Sequence, residues 1–200
     1  MEFDLTGEHA PAAYKILASL VTPRPIAWVT SLDSQGRVNA APFSFFNVFG
    51  TEPPVVVFAP GDKEPGVPKD TARNIRETGE FVINLVDEAV LEPMVRSAAT
   101  LPHGVDELEG SGLSYVESRL VKPPRIAEAP AALECREHST LMIGQDRLVI
   151  GEVLRVWARD GIFDPETGHM DIAQYQPIGR MASPDWYTRT SDLFEMRRPE

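Results

Sequence analysis

The sequence predicts a mainly β chain with peripheral helices, arranged as a barrel of antiparallel strands. Two hairpins whose residues alternate in character with a two-residue period carry this prediction, one within residues 22–50 and one within residues 131–159. Eighteen prolines, many at the joints between strand-like segments, are typical of strands connected by stiff loops. A chain of 200 residues is long enough for one well-buried core, so we expect a single domain over residues 1–200.

Composition and charge narrow the classes of function. The 42% hydrophobic and 24% charged content are those of an ordinary soluble globular protein. The net charge of −11 argues against a nucleic-acid partner and against docking on an anionic membrane. The N-terminus has no basic start followed by an apolar run, so we expect no signal peptide and a cytoplasmic protein. Four scattered histidines and the single Cys135 predict neither a metal site nor a disulfide framework.

The first hairpin follows a predicted helix. Residues 11–20 place apolar side chains at i, i+3, i+4 and i+7, which predicts a short helix that ends before two prolines. The first strand then alternates from residue 26 to residue 32, and the turn that follows ends at Gly36, which is free to take a positive φ. In the second strand, predicted over 37–46, small and polar residues alternate with phenylalanines.

Five shorter elements are predicted between the two hairpins. The helix among them that begins at residue 71 has Asp70 as its predicted N-cap and Gly79 as its stop. Residues 102–112 show no regular period, so they fit a mobile flap, the edge of an interface or a solvated loop. The five elements are a strand at 55–59, a helix at 71–78, a strand at 80–86, a helix at 88–99 and a strand at 113–121.

The second hairpin is predicted from residues 131–142 and 147–159. Both faces of its second strand are apolar, as expected of a barrel wall that is covered by helices or by a partner subunit. A last short strand is predicted over 172–178. The C-terminal tail at 180–200 mixes aromatic and charged residues, which favours packing on the body of the domain or on a partner.

Two stretches suggest a ligand site. Small residues at 40–45 would let backbone amides approach a flat ligand, and the neighbouring phenylalanines would wall it in, although each phenylalanine alone also fits the core. The predicted helix start at residues 69–71 offers free N–H groups, the charge of Lys69 and the hydroxyl of Thr71, which together suit an anion such as phosphate. Spacing alone fits an ordinary capped surface helix equally well.

Several segments, in their order and spacing, resemble the flavin reductase-like family of FMN-binding split barrels. The resemblance runs from about residue 10 to residue 87, and it implies a dimeric, antiparallel split β-barrel that holds FMN non-covalently near the subunit interface. The segments that carry it are RPIAWVTS, NAAPFSFFNVFG, PPVVVF, KDTARNI and GEFVINLV, with LECRE, LVIGEVLRVW and PIGRM similar in the second half.

The resemblance turns these stretches into predicted cofactor contacts. It implies that the flavin phosphate lies on the KDTARNI segment, and together with it the pattern of residues 40–45 favours that stretch as the slot for the flavin ring. Arg24 and Arg73 are second-rank candidates for the phosphate, because arginines near a strand start or on a helix face are often only solvated. The full set of predicted cofactor-binding residues is Thr30, Ser31, Asn39, Ala40, Ala41, Pro42, Ser44, Phe45, Asn47, Lys69, Thr71 and Asn74.

The motifs of other enzyme classes are absent from the sequence. It has no GxSxG elbow, no Walker A motif and no GxGxxG after a strand, so NADH or NADPH would have to stack directly on the flavin. Hydride would then pass to flavin N5, and because this chemistry belongs to the cofactor, no catalytic side chain is predicted. The physiological acceptor, such as a flavin-dependent monooxygenase, ferric iron or a small organic substrate, stays open.

Two other classes of function fit the same residues. One is a flavoredoxin-like FMN electron carrier without nicotinamide activity. The other is a binding module that kept the barrel and lost the flavin, for which the acidic residues near 106–109 would mark a partner surface. A homodimer is expected in the flavin-binding readings.

Overall fold

The computed structural model of the chain describes residues 1–99, 107–197 and 199. Strands make up most of the regular secondary structure of these residues, and three short α-helices accompany them, α1 (Ala13–Leu20), α2 (Asp70–Thr78) and α3 (Leu91–Arg96). Short 3-10 turns, Ala10–Ala12 and Glu88–Val90, precede α1 and α3. The strands are β1 (Ala27–Leu32), β2 (Val38–Phe43), β3 (Phe46–Thr51), β4 (Pro54–Phe58), β5 (Asp62–Glu64), β6 (Val67–Pro68), β7 (Glu80–Asn84), β8 (Tyr115–Val116), β9 (Arg125–Ile126), β10 (Ala131–Ile143), β11 (Asp146–Ala158), β12 (Gly179–Arg180) and β13 (Tyr187–Thr188).

Seven of these strands form one antiparallel sheet in the order β2-β1-β7-β10-β11-β4-β3. The order begins at β2 and ends at β3, so the sheet is open, and the prediction of a barrel is correct only for its mainly β, antiparallel character. The single strand predicted at 37–46 is also wrong, because the chain bends at Ser44 and Phe45 between β2 and β3. Pro42, the residue before last in β2, has no N–H to donate to a further strand.

Two hydrophobic clusters lie on opposite faces of β1. Ala27 and Val29 face one cluster, which also holds Phe58 and Phe81. Trp28 faces the other, together with residues of α3 and of the C-terminal segment. Because both faces of this central strand are covered, β1 is almost wholly buried, as the apolar first strand predicts.

The long second hairpin is confirmed as β10 and β11, but two short predicted strands are not. Only Tyr115–Val116 is a strand within 113–121, because the N–H groups of Arg119 and Leu120 are bonded to the carboxylate of Glu134 instead of to a neighbouring strand. Residues 172–178 form no strand; Pro177 makes only an isolated bridge to Asp87. The prediction for 102–112 falls partly on residues outside the described range.

Helix α2 begins one residue earlier than predicted. Lys69 is the N-cap, with an extended ψ of 158°, and Asp70 is the first helical residue. The carboxylate of Asp70 binds the side chains of Lys63 and Arg73 rather than capping the backbone. Gly79 ends the helix in the left-handed conformation at φ 72°, as predicted, which a side chain would oppose.

The C-terminal segment lies on the body of the domain as far as residue 190. Arg189 forms an ion pair with Glu88, and the Thr190 hydroxyl donates to the carbonyl of Pro177 at 2.8 Å. Beyond this point the side chains of residues 191–197 are exposed. Among the described helices, none is both long enough and apolar enough to cross a membrane.

Candidate functional site

Two adjoining cavities follow the free edge of β2 and form one elongated cleft. The wide end has a volume of ≈ 410 Å³ and the narrow end ≈ 200 Å³, and Pro42, Phe43, Lys69 and Ala98 line both. The wide end lies beside the bend between β2 and β3, and the narrow end lies at the start of α2. The shape is that of a slot with an extension, which suits a flat ligand that carries a tail.

The edge of β2 supplies the backbone of this slot. In an antiparallel pair every second residue turns its N–H and C=O away from its partner strand. The N–H of Ala40 points away from β1 in this way and donates to Oε2 of Glu107 at 2.9 Å. Pro42, two residues on, has no N–H. The free edge therefore offers few unpaired donors along β2 itself.

Aromatic side chains wall the wide end. Phe45 is 44% exposed, and its ring centroid lies 5.9 Å from that of Tyr14 and 5.8 Å from the guanidinium of Arg24. Tyr187 lines the same end, where Arg180 lies 4.7 Å above its ring. Phe45, Tyr14 and Tyr187 thus give this end of the cleft aromatic surfaces for a planar ligand.

Arg24 serves the fold and not the narrow end of the cleft. Its side chain is 7% exposed, and it donates to the carbonyls of Val21 and Met181 at 3.1 Å each and to that of Ala18. Its Nε also donates to the hydroxyl of Ser44 at 3.3 Å. Burial is the main cause that lowers the pKa of Arg24. The arginine therefore ties the β2–β3 bend to α1 and to the C-terminal segment.

Lys69 is the cation of the narrow end that has no ion-pair partner among the described residues. Its Nζ lies 5.6 Å from the centroid of the Phe43 ring. Partial burial, and secondly the charge of Lys63, lower the pKa of Lys69. By contrast, Lys63 lies 2.7 Å from Asp70, and Arg73 is paired with the same carboxylate. An anion in the narrow end would therefore be attracted mainly by the charge of Lys69.

A hydrogen-bond network around Asn39 closes the narrow end. In the amide orientation that satisfies both of its polar atoms, Asn39 accepts from the hydroxyl of Thr71 at 3.0 Å and donates to Oε1 of Glu107 at 3.0 Å. Glu107 thus accepts from both Asn39 and the N–H of Ala40. The network joins β2, the first turn of α2 and the segment that begins at residue 107.

Comparison with known proteins assigns the chain to a family. A family model described as the flavin reductase like domain matches residues 19–178. The chain belongs to the flavin reductase-like family. An uncharacterized protein of Deinococcus radiodurans is 47% identical over 201 residues, covering 98% of this chain and 88% of that protein. This membership supports a flavin-binding protein of the oxidoreductase class.

Two solved structures that are similar to the flavin reductase-like chain have described activities. One is the 2-nitrobenzoate 2-nitroreductase NbaA of Pseudomonas fluorescens, with a TM-score of 0.89 and 35% identity over 100% of this chain and 96% of that chain. The other is nitrilotriacetate monooxygenase component B of Bacillus cereus, with a TM-score of 0.92 and 30% identity over 98% of each chain.

Seven of the twelve predicted contacts of this family member line the cleft. Ala40 lies just behind them, with its side chain fully buried and its N–H engaged by Glu107. The placement brings together the predicted ring slot and the predicted phosphate site, which the sequence had located separately. The seven residues are Asn39, Ala41, Pro42, Ser44, Phe45, Lys69 and Thr71.

The other four predicted residues line neither end of the cleft. Thr30 is fully buried and donates to the carbonyl of Pro124 at 2.6 Å. Asn74 donates to the hydroxyl of Ser31 at 3.1 Å inside the protein, so this pair fixes α2 against β1. Asn47 lies on β3 beside a separate apolar cavity of ≈ 300 Å³. The side chains of Thr30, Ser31 and Asn74 therefore lie in the interior behind the cleft.

Several residues that line the candidate cleft were not predicted from the sequence. Pro60 and Lys63 lie between the strand predicted at 55–59 and the helix predicted at 71–78, and Glu107 lies within residues 102–112, for which no regular element is predicted. Tyr14 and Tyr187 come from the two ends of the chain. An aromatic residue on a predicted helix or in a tail carries no local signal of a site. Within residues 1–99, 107–197 and 199, no group of three or more potential metal-ligating side chains occurs.

Proposed function

We propose that the chain is an FMN-dependent oxidoreductase that binds its flavin non-covalently and takes hydride from NADH or NADPH. The observation that carries this proposal is the continuity of the cleft, which joins an aromatic-walled slot to a narrow end containing Lys69, a cation without an ion-pair partner among the described residues. A flat ring with an anionic tail has the same two-part character. Membership in the flavin reductase-like family adds independent support.

The residues present fit FMN in one direction along the cleft. Phe45 and Tyr14 would flank the ring at the wide end, and the bend after β2 would bring Ser44 to its polar edge. Lys69 and the N–H groups at the start of the nine-residue α2 would receive the phosphate. Helix starts and lysines are both suited to phosphate, because they offer hydrogen-bond donors and positive charge.

The protein's share of the reaction is binding and orientation. Flavin chemistry supplies a hydride acceptor at N5, so no acid or base from the protein is required. Tyr14 and Phe45, which are 66% and 44% exposed, would present aromatic surfaces to a nicotinamide that approaches the wide end from solvent. Holding the nicotinamide ring close to the flavin ring makes the reaction between them effectively unimolecular. The buried hydrogen bond from Asn74 to Ser31 joins α2 to β1 behind the cleft.

The first test is the visible absorption spectrum of the purified protein, followed by anaerobic addition of NADH and then of NADPH. We expect a flavin spectrum, present at purification or acquired from added FMN, which bleaches on addition of one of the two nicotinamides. A protein that never takes up flavin would overturn the proposal. A flavin spectrum that bleaches with a reduced partner protein and with neither nicotinamide would assign the chain to the electron carriers instead.

The reduced flavin needs an acceptor, and the similar structures motivate two kinds. Component B of nitrilotriacetate monooxygenase belongs to a monooxygenase, so a flavin-dependent monooxygenase is the first proposed partner. A second candidate is direct reduction of a nitroaromatic acid, as the name of NbaA describes for that protein. The observation in its favour is the wide end itself, where Arg180 accompanies Tyr14, Phe45 and Tyr187. Arginine and aromatic faces are both suited to an aromatic carboxylate.

Steady-state oxidation of NADH or NADPH separates these acceptors. Stimulation by 2-nitrobenzoate under anaerobic conditions, with formation of a reduced nitrogen product, would support the second candidate. Stimulation by free FMN or FAD without any effect of the nitroaromatic would support transfer of reduced flavin. The matched control is benzoate, which has the same carboxylate and ring without a reducible nitro group.

A further inference from the structure

Arg24 is a buried cation that has no carboxylate partner among the described residues. It is 7% exposed, and the groups that accept hydrogen bonds from its side chain are all neutral. They are the carbonyls of Ala18, Val21 and Met181 and the hydroxyl of Ser44. These bonds satisfy its N–H groups but leave the charge without a counter-charge, which is costly inside a protein. A ligand that brings negative charge close to Arg24 would recover part of this cost.

The charge of Arg24 lies behind the wall of the wide end of the cleft. Its guanidinium carbon is 5.8 Å from the centroid of the Phe45 ring, and its Nε donates to Oγ of Ser44 at 3.3 Å. Phe45 and Ser44 both line the wide end. Among the described lining residues of that end the only carboxylate is that of Asp146, which is exposed and forms no ion pair with Arg24. Arg24 therefore places a positive charge behind the slot proposed for the flavin ring.

The hydroxyl of Ser44 connects this charge to the cleft. A serine hydroxyl has one hydrogen to donate and two lone pairs to accept with. Because the oxygen of Ser44 accepts from Arg24, its hydrogen points elsewhere, and it has no acceptor within the described part of the chain. Hydrogen bonds in a chain polarise one another, so a hydroxyl that accepts from a guanidinium is a stronger donor. Ser44 thus offers a polarised donor to a ligand in the wide end.

Reduction changes the charge of a flavin ring but not that of its phosphate. Hydride from NADH or NADPH brings two electrons and one proton to N5 of a neutral ring, and the nicotinamide leaves as a cation. The reduced ring therefore carries one negative charge, spread over N1 and the neighbouring carbonyl of its polar edge, until a further proton arrives. A cation behind this edge stabilises the reduced ring more than the oxidised ring. The phosphate contributes alike to the binding of both states.

We propose that Arg24, acting through the hydroxyl of Ser44, makes the cleft bind reduced flavin more tightly than oxidised flavin. The inference rests on the proposed function, because it requires that the flavin ring occupies the wide end. Arg24 is then a positioning residue that raises the reduction potential of the bound flavin above that of free FMN. A cleft with this preference retains the reduced flavin until an acceptor takes up its electrons.

The wild-type protein provides the first test. Fluorescence quenching gives the dissociation constant of oxidised FMN, and an anaerobic titration against a reference dye gives the reduction potential of the bound flavin. The two values together yield the dissociation constant of reduced FMN. We expect reduced FMN to bind about tenfold tighter, which corresponds to a potential about 30 mV above that of free FMN. Equal or weaker binding of the reduced form would overturn the inference.

Two substitutions of Arg24 separate its charge from its role in the fold. Arg24→Gln and Arg24→Lys both lose the forked guanidinium, so a purely structural role would be impaired alike in both. Only Arg24→Gln loses the charge, and it should lose the preference for reduced FMN, whereas Arg24→Lys should keep most of it. Equal losses would overturn the inference. The control is Arg155→Gln, which removes the same charge from an exposed residue that lines neither end of the cleft and should keep the preference.

Substitution of Ser44 tests the same inference while Arg24 and its bonds to the backbone carbonyls stay in place. In Ser44→Ala the preference for reduced FMN should fall by about threefold or more, because the polarised donor is lost. Ser44→Thr keeps a hydroxyl and should restore it. An unchanged potential of bound FMN in Ser44→Ala would overturn the inference even if the Arg24 variants did not fold. Failure of the wild type to bind FMN in either redox state would instead overturn the proposed function itself.

Discussion

Lys69 and Arg73 lie four residues apart at the start of α2, yet their surroundings differ. Arg73 is engaged by Asp70, whereas Lys69 lies in the cleft near the ring of Phe43 without a carboxylate partner among the described residues. A cation that already has a partner gains little from a further anion, because the existing pair must be loosened first. A partly buried cation without such a partner gains more, since it recovers an interaction that it lost on leaving water.

This difference predicts unequal effects of two alanine substitutions on FMN binding. Lys69→Ala should raise the dissociation constant of FMN by about ten- to a hundredfold, as expected for the loss of a charged hydrogen bond of about 1.5–3 kcal/mol. Arg73→Ala, the matched control, should change it by less than about threefold. Fluorescence quenching of FMN measures both. Equal losses would place the phosphate elsewhere.

Tyr175 makes the stability of the protein sensitive to high pH. Burial, and secondly the charge of Asp87, raise the pKa of Tyr175 from 10.0 to about 12. The folded state therefore favours the neutral phenol. The stability that comes from burying the neutral phenol is fully present below pH 10, the pKa of tyrosine in the unfolded chain. It is lost as the pH rises towards 12, the pKa in the folded protein.

Tyr175→Phe should remove that pH dependence. Between pH 10 and 12 the free energy of unfolding of the wild type should fall by up to about 2–3 kcal/mol more than that of the variant. Urea unfolding at several pH values in this window measures the difference. If the free energy of unfolding depended on pH in the same way for the two proteins, the burial of this phenol would be contradicted.

Within β11, Gly151 packs directly against the ring of Phe81. A Cβ built on Gly151 would lie 2.4 Å from Cζ of Phe81, so the ring of Phe81 occupies the space that any other residue at 151 would need. Phe81 itself is fully buried and lies 5.6 Å from Phe58, ring centroid to ring centroid. The core beneath the hairpin of β10 and β11 therefore requires a glycine at residue 151.

Gly151→Ala should destabilise the protein by about 1–3 kcal/mol, because the added methyl group displaces the ring of Phe81. Phe81→Leu alone should also be destabilising, since it leaves space in the core. The two changes combined should cost less than the sum of their separate effects, because the smaller side chain makes room for the methyl group. Urea unfolding of the three variants tests this, and simple additivity would show that Phe81 does not limit residue 151.

For the molecule as a whole, the most informative surface is the outer edge strand β3. Val48 and Phe49 on this strand are 58% and 68% exposed, although the strand has a free edge that can pair with another chain. Exposed apolar edge strands promote association unless they are covered. Leu141, Met142 and Ile143 at the end of β10 are also at least half exposed. We therefore propose that these surfaces are covered in the homodimer that is expected from the sequence.

Phe49→Glu should therefore shift the protein from dimer to monomer, because a charge would be buried in the interface without a partner. Light scattering coupled to size exclusion measures the mass of each species. The control is Met170→Glu, which places the same charge at a 41% exposed apolar residue in a separate turn and should leave the mass unchanged. A wild-type protein that is monomeric at all concentrations would contradict the proposal.

Much of the fold follows from local pattern in the sequence. The alternation from Ile26 to Leu32 predicts β1, and Gly79 correctly marks the end of α2, because both depend only on residues that are near one another along the chain. Local pattern is not sufficient for the strand predicted at 172–178. A short run that includes Pro177 becomes a strand only if a neighbouring strand pairs with it, and the structure has only an isolated bridge there.

The sequence by itself determined the mainly β character, the two hairpins, the helix at the narrow end of the cleft and the resemblance to the flavin reductase-like family. Only the tertiary structure decided which side chains reach that cleft. It turns Thr30, Ser31 and Asn74 into the protein interior, and it brings Glu107 against Ala40, 67 residues away along the chain. The physical reason is that side-chain periodicity specifies faces of a strand or helix, whereas contacts between distant segments depend on how the whole chain closes around its core.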